Sequence, residues 1–319
     1  MSSELTAARY GKDKIRVFRV VREANIQHIV EYNVTSLLEG DVSTSYTEAD
    51  NSVVVATDSS VYRHLLYFAK TSPHILDPEK FALHLGTFFV SKYAHIHKAF
   101  ITIEQLRWTR ISVGADGHEH PYSFYRDGDD KRITKVEVDA SAGKDKLVGK
   151  VTSGIADLLV LKTSGSSFEN FFKDEYTTLV PVNDRIFSTS VDLSYTFSPV
   201  QLSSPKDDRK LEFVVPDGTD LSGGAWDGIG VAERARKVTL EVFATDESAS
   251  VQATLYKMAR KVIAENPHIA SVTYALPNKH YLPIDMSYIG IDNMTPAKAE
   301  VFMPVSAPSG LITATISRK

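Results

Sequence analysis

The secondary-structure signals in this chain run strand, strand, helix, helix, strand, strand, and then run through the same order again. In the first half, Ile15 to Val21 and Ile26 to Leu38 carry β-branched and apolar residues in partial alternation, with the polar Arg22 to Asn25 between them, which reads as a hairpin. Two helical stretches follow: Asp58 to Ala69 after a Thr-Asp-Ser start, and Pro78 to Tyr93, where Asp77 can cap and Pro78 can occupy the first turn. Ala99 to Val113 and Tyr122 to Val138 then read as long strands joined by a Gly-Ala-Asp-Gly-His turn. In the second half, Leu158 to Lys162 and Ile186 to Phe197 read as strands, and Val231 to Ala244 and Ser248 to Ala264 as helices. The second of these helices spaces Val251, Leu255, Met258, Val262 and Ile263 along one face. Ser271 to Leu276 and Leu311 to Ile316 complete the set. The repetition is one of pattern, not of identity, and it predicts an α+β chain of two units, 1–145 and 146–319, divided at the small and charged residues Ser141 to Lys146. Ser203 to Gly230, rich in Asp, Gly, Ser and Pro, reads as a surface loop.

Composition narrows the chemistry. No apolar run approaches the roughly 18 to 20 residues of a membrane span, and the first residues lack a signal-peptide pattern, so a soluble, intracellular protein is expected. A net charge of −4 offers no global attraction to nucleic acid or anionic membrane, so an anionic ligand needs a local site. The absence of cysteine removes disulfides, thiolate nucleophiles and thiolate-bound metals together. No Gly-x-Gly-x-x-Gly follows a strand, and no phosphate loop is present. His95-Ile-His97 and His118-Glu-His120 are metal-like pairs, but neither comes with a third ligand, and no metal site is expected.

Six short strings remain that do not look like scaffold: Arg9-Tyr-Gly-Lys12, Val55-Ala-Thr-Asp58, Phe168 ahead of Asp174-Glu-Tyr-Thr-Thr178, Asp184-Arg185, Ser250-Val-Gln-Ala253, and Leu276-Pro-Asn-Lys-His280. In order and spacing they resemble the urate oxidase family from Tyr10 to Ser317, with Pro-Asn-Lys-His and Tyr-Gly-Lys the most specific. The resemblance implies two tandem T-fold units, antiparallel sheets with helices on one face, closing into β-barrels between subunits of a homotetramer. It also implies oxidation of urate by O2 to 5-hydroxyisourate and H2O2, with no cofactor and with sites at subunit interfaces. Many fungal and animal members end in a peroxisomal Ser-Lys-Leu-like tripeptide, whereas this chain ends Ile316-Ser-Arg-Lys319. A peroxisomal location is expected for a eukaryotic chain carrying that signal, and a cytoplasmic one otherwise.

Urate is a flat purine trione, anionic at neutral pH and rimmed with carbonyls and ring nitrogens. A guanidinium can bond two such edge atoms while cancelling charge, and a carboxamide can donate and accept on the opposite edge. The resemblance gives these roles to Arg185 and Gln252, adds the Val251 backbone N–H as a donor, and lays Phe168 on the purine face. It brings Thr57 and Asp58 from a neighbouring subunit, their backbone N–H groups bonding the five-membered ring. The resemblance also makes Lys12, Thr57 and His280 the expected proton relay, with Asn278 holding oxygen or water above the ring. Taken singly, each has a plainer reading: Arg185 paired with Asp184, Gln252 on a helix surface, Phe168 in a core, Thr57 or Asp58 as a helix cap, Lys12 and His280 as solvated polar residues. Two other functions stay open. Another T-fold enzyme, such as a pterin or folate-pathway cyclohydrolase or aldolase, could hold a planar heterocycle, commonly with a glutamate; the absence of cysteine disfavours the cyclohydrolases, which use a Cys/His zinc site. A purine-binding paralogue could keep the fold without the chemistry.

Overall fold

The computed structural model describes residues 3–207, 209–214 and 226–319; the Ser203 to Gly230 loop expected from composition falls partly outside them, at 208 and 215–225. Contacts divide the chain into two compact units. One comprises Met1–Gly154, Tyr195–Ala232 and His268–Ala270, the other Ile155–Ser194, Glu233–Pro267 and Ser271–Lys319. No helix among the described residues is long and apolar enough to cross a membrane.

The first unit opens with the expected hairpin, β1 (Tyr10–Arg22) antiparallel to β2 (Gln27–Gly40). Its register shifts between Lys12 and Ile15, where Lys14 takes a left-handed conformation (φ 53°). A bulge of this kind bends the strand and re-aims neighbouring side chains. Along β2, Val30, Tyr32, Val34, Ser36 and Leu38 alternate into the core. The short α1 (Ser43–Thr47) precedes α2 (Tyr62–Thr71) and α3 (Pro78–Lys92). Asp77 caps α3, its Oδ1 accepting from Lys80 N at 3.0 Å, and Pro78 sits in the first turn as the sequence predicts.

Helix α3 lies against β3 (Ile96–Leu106) and β6 (Lys131–Asp139), and nearly all of it is buried. Gly86 permits the approach, since a Cβ there would stand 2.6 Å from Val138 Cγ2. Glu79 is wholly buried on this helix. Its carboxylate accepts from Ser153 Oγ at 2.6 Å, Thr134 Oγ1 at 3.3 Å and Arg132 Nη2 at 2.6 Å. Arg132 also donates to the Gly228 carbonyl at 2.9 Å, tying in the first turn of α4 (Gly228–Thr245).

One expectation fails here. The two long strands read from Ala99 to Val113 and Tyr122 to Val138 are four: β3, β4 (Thr109–Val113), β5 (His118–Tyr125) and β6, with β4 and β5 forming a separate two-stranded ribbon. The breaks are electrostatic. Arg107 ends β3 by bonding Asp127 (2.7 and 2.8 Å) and Asp130 (2.9 Å), carboxylates in the link between β5 and β6.

Strand β7 (Leu147–Lys162) starts well before the expected Leu158; β8 (Phe187–Phe197) closely follows the reading. The first unit also holds β9 (Val200–Ser203), paired with both β7 and β10 (Glu212–Val214). In the second unit the strand order is β7, β8, β11 (Ile269–Pro283). Strand β11 bonds β12 (Phe302–Val305) over its last residues and β13 (Leu311–Ser317) before that. Helix α5 (Val251–Glu265) packs on β13, with Val251, Leu255, Met258 and Val262 buried.

Candidate functional site

The predicted residues fall into two groups, one in each unit, and each group has its own geometry. In the first unit, Lys12 sits at the bulge of β1 and its Nζ pairs with the Asp58 carboxylate. Tyr10, two residues earlier, accepts a hydrogen bond from Val55 N at 3.0 Å. Burial pushes its hydroxyl pKa up, against the lowering effect of that bond. The start of β1 therefore holds the segment 55–58 at both ends. Gly11 between them passes so close to β2 that a Cβ would stand 1.9 Å from the Ser36 carbonyl oxygen.

Thr57–Val61 form a π turn leading into α2, with both Ser60 N (2.8 Å) and Val61 N (3.2 Å) bonding the Ala56 carbonyl. Thr57 and Asp58 carry the first amide groups of this helix, which have no intrahelical acceptor. Neither side chain caps it. No hydrogen bond joins Lys12 to the Thr57 hydroxyl; the lysine is brought to Asp58 instead.

In the second unit, Phe168 and Val182 bond each other's backbone at 2.8 and 3.1 Å, closing the loop between them. Arg185 follows directly, its guanidinium carbon 5.1 Å from the Phe168 ring centroid, while Phe171 stacks on Phe168 at 5.0 Å and 11°. The plain reading of Arg185 does not hold. Asp184 turns its carboxylate to the backbone of Gly165 (2.8 Å) and Ser166 (3.4 Å), and among the described residues no carboxylate reaches ion-pair distance of the Arg185 guanidinium. That guanidinium is half-buried, and desolvation lowers its pKa from the ordinary value. An uncompensated, partly desolvated cation beside an aromatic ring is a receptor for a flat anion.

Helix α5 begins at Val251 with Ser250 as its cap, Ser250 Oγ accepting from Ala253 N at 3.1 Å. The amides of Val251 and the exposed Gln252 are thereby left as the helix's free first donors. Asn278 lies on β11, its N–H bonded to the Gly310 carbonyl at 2.8 Å. Its Oδ1 is buried with no partner among the described residues, a costly arrangement unless a ligand or water supplies the donor. His280, two residues on and so on the same face of the strand, stands opposite Val305 of β12. Elsewhere, His97 Nε2 pairs with Asp41 at 3.0 Å and His118 Nδ1 with Asp116 at 3.0 Å. No three His, Asp or Glu side chains converge as a metal ligand set among the described residues.

Sequence reading gave no role to Tyr10, although strand alternation puts it beside Lys12 and could have flagged it. Comparison with known proteins gives these two groups a context. The uricase family profile matches residues 8–137 and 151–313, a span that takes in every residue described above as a candidate. The chain belongs to the uricase family. It is 44% identical to the uricase of Aspergillus flavus, over 99% of this chain and 97% of that protein. With the uricase of Emericella nidulans it shares 43% identity, over 99% and 98% of the two chains. Its fold matches the crystal structure of uricase from Arthrobacter globiformis with a TM-score of 0.81 at 30% identity, covering 100% of this chain and 96% of that one.

Proposed function

We propose that this chain, like the uricases it resembles, oxidises urate with O2, and that it does so without metal or organic cofactor. The observation that carries the proposal is the half-buried Arg185 guanidinium, with no carboxylate partner among the described residues, set against Phe168. Arg185 bonds the edge of the urate anion, Gln252 and the Val251 amide the opposite rim, and Phe168 stacks on the ring. The balanced reaction is urate + O2 + H2O → 5-hydroxyisourate + H2O2: urate gives up two electrons, O2 takes them with two protons, and water supplies the hydroxyl added at C5. An electron-rich urate dianion can reduce triplet O2 one electron at a time, so the protein's task is deprotonation, orientation and a fixed place for oxygen. Asn278, with its unpartnered Oδ1, is suited to hold oxygen and then the attacking water.

Lys12, Thr57 and His280 carry the protons. For Lys12 to serve Thr57 its pair with Asp58 must open. The Asp58 side chain is 82% exposed, so the pair contributes only about 0–1 kcal/mol and a bound anion at the Thr57 and Asp58 amides can displace it. One half-site has the clamp and the other the lysine. Following the resemblance to urate oxidases, we place the working site between subunits of a homotetramer built from tandem T-fold units, 1–145 and 146–319, whose sheets close into barrels and so hide edges that would invite aggregation. Such a chain works in peroxisomes where a C-terminal signal is present and in the cytoplasm otherwise. The test follows urate's ultraviolet absorbance, O2 uptake and peroxide release in protein stripped with chelator. Equal consumption of urate and O2 supports the reading; activity lost on chelation and restored by copper overturns it.

A further inference from the structure

The Arg185 clamp and the start of α5 are joined by a run of hydrogen bonds through residues that the proposed reaction does not use. Arg185 N donates to the Ser166 carbonyl at 2.8 Å, and Ser166 forms a parallel bridge with Ser248. Ser167 N reaches the Ser248 carbonyl at 2.8 Å, and Ser248 N reaches the Gly165 carbonyl at 3.0 Å. The run then enters the helix. The Thr254 hydroxyl bonds Ser248 Oγ at 2.8 Å and Asp246 Oδ2 at 2.7 Å, while Lys257 Nζ pairs with the other Asp246 oxygen. Thr254 and Ser248 are buried, and the Asp246 side chain is 9% exposed.

A helix threonine ordinarily returns its hydroxyl to the carbonyl four residues back. Here that bond, to the Ser250 carbonyl, is the longest of the three at 3.4 Å, so the hydroxyl is committed to the entry loop instead. Burial alone would raise the Asp246 pKa, yet the bonds from Lys257 and Thr254 bring it below the ordinary carboxylate value, which keeps the charge-assisted link in place at neutral pH.

We propose that Thr254, acting through Ser248 and Asp246, is a positioning residue: it fixes the spacing between the Arg185 guanidinium and the Val251 and Gln252 amides, and thereby the affinity for the rim of the purine. The inference rests on the urate reading for its ligand, but its geometry can be tested without one. Thr254→Val keeps the shape and removes the hydroxyl; Thr254→Ser keeps the hydroxyl. In Thr254→Val, the Kd for the urate analogue 8-azaxanthine rises by at least about tenfold, the scale on which small misplacements act, and in Thr254→Ser it returns close to wild type. Amide hydrogen exchange at Ser167, Arg185 and Ser248 speeds up in Thr254→Val and not in Thr254→Ser.

Unchanged affinity and exchange in Thr254→Val, or a Thr254→Ser protein as weak as Thr254→Val, overturns the proposal. If Thr254→Val does not melt cooperatively, Ser248→Ala takes its place with the same expectations. A wild-type protein that binds no analogue would sink the urate reading, while the exchange comparison would still decide the role of Thr254.

Discussion

Replacing Arg185 with alanine separates a ligand-binding arginine from a structural one. Among the described residues the side chain has no carboxylate partner, and its contact is the face of Phe168 at 5.1 Å, so removal breaks no ion pair and relieves a half-buried charge. Thermal stability should stay level or rise slightly. Binding should suffer heavily: two hydrogen bonds to a charged partner at about 1.5–3 kcal/mol each sum to about 3–6 kcal/mol, or roughly 10²- to 10⁴-fold in Kd. Arg185→Lys keeps the charge but loses the planar fork, and it should fall between wild type and alanine. Calorimetric titration with 8-azaxanthine, run beside thermal melts of all three proteins, reads both quantities. Unchanged analogue affinity in Arg185→Ala, with a melting temperature several degrees lower, would show a structural arginine and refute the assignment.

Two predictions concern the first unit. Glu79→Gln leaves Arg132, at 17% side-chain exposure, without its carboxylate, and should cost about 3–5 kcal/mol in urea unfolding; a loss under about 1 kcal/mol would mean the pair is dispensable. Burial lowers the His74 pKa to about 4, below its ordinary value, so the unfolded chain binds the proton first. The stability His74 contributes is present above about pH 6.5 and is lost as pH falls toward 4, amounting to about 1–2 kcal/mol once solvent screening is allowed for. His74→Gln should flatten that part of the pH–stability curve, and an unaltered slope there would contradict the reasoning.

Much of the fold was legible because local signals agreed with one another. Asp77-Pro78 marked the start of α3, and the Val251, Leu255, Met258, Val262 stripe marked α5, since a cap and a 3.6-residue period are properties of the segment itself. The break between β3 and β4 and that between β5 and β6 were not legible, because they depend on Arg107 meeting Asp127 and Asp130 some twenty residues away, whereas the turn between β4 and β5 was read from the Gly114 to His118 string. Strand β7 was read too short: Gly149 and Gly154 dilute its pattern, and at Gly149 a Cβ would stand 2.7 Å from Leu83 Cδ2, a packing need invisible in one segment.

At the candidate site, the strings singled out residues, but contacts could not be read from them. That Asp184 serves backbone amides rather than Arg185, and that Lys12 meets Asp58 rather than Thr57, are outcomes of loop geometry. The Thr254, Ser248 and Asp246 links left no signal at all. Their spacing across a helix cap matches no period a sequence reader would test.

The central claim is that a urate site is completed only when the clamp of one subunit meets the lysine and threonine of another, and subunit mixing tests it most directly. Arg185→Ala and Thr57→Ala proteins, each inactive alone, are dissociated, combined and reassembled, and urate consumption is followed. Mixed oligomers contain some sites with both halves intact, so activity returns in the mixture and in neither parent. Mixed oligomers that form and stay inactive, or a monomer with full turnover, would contradict the account.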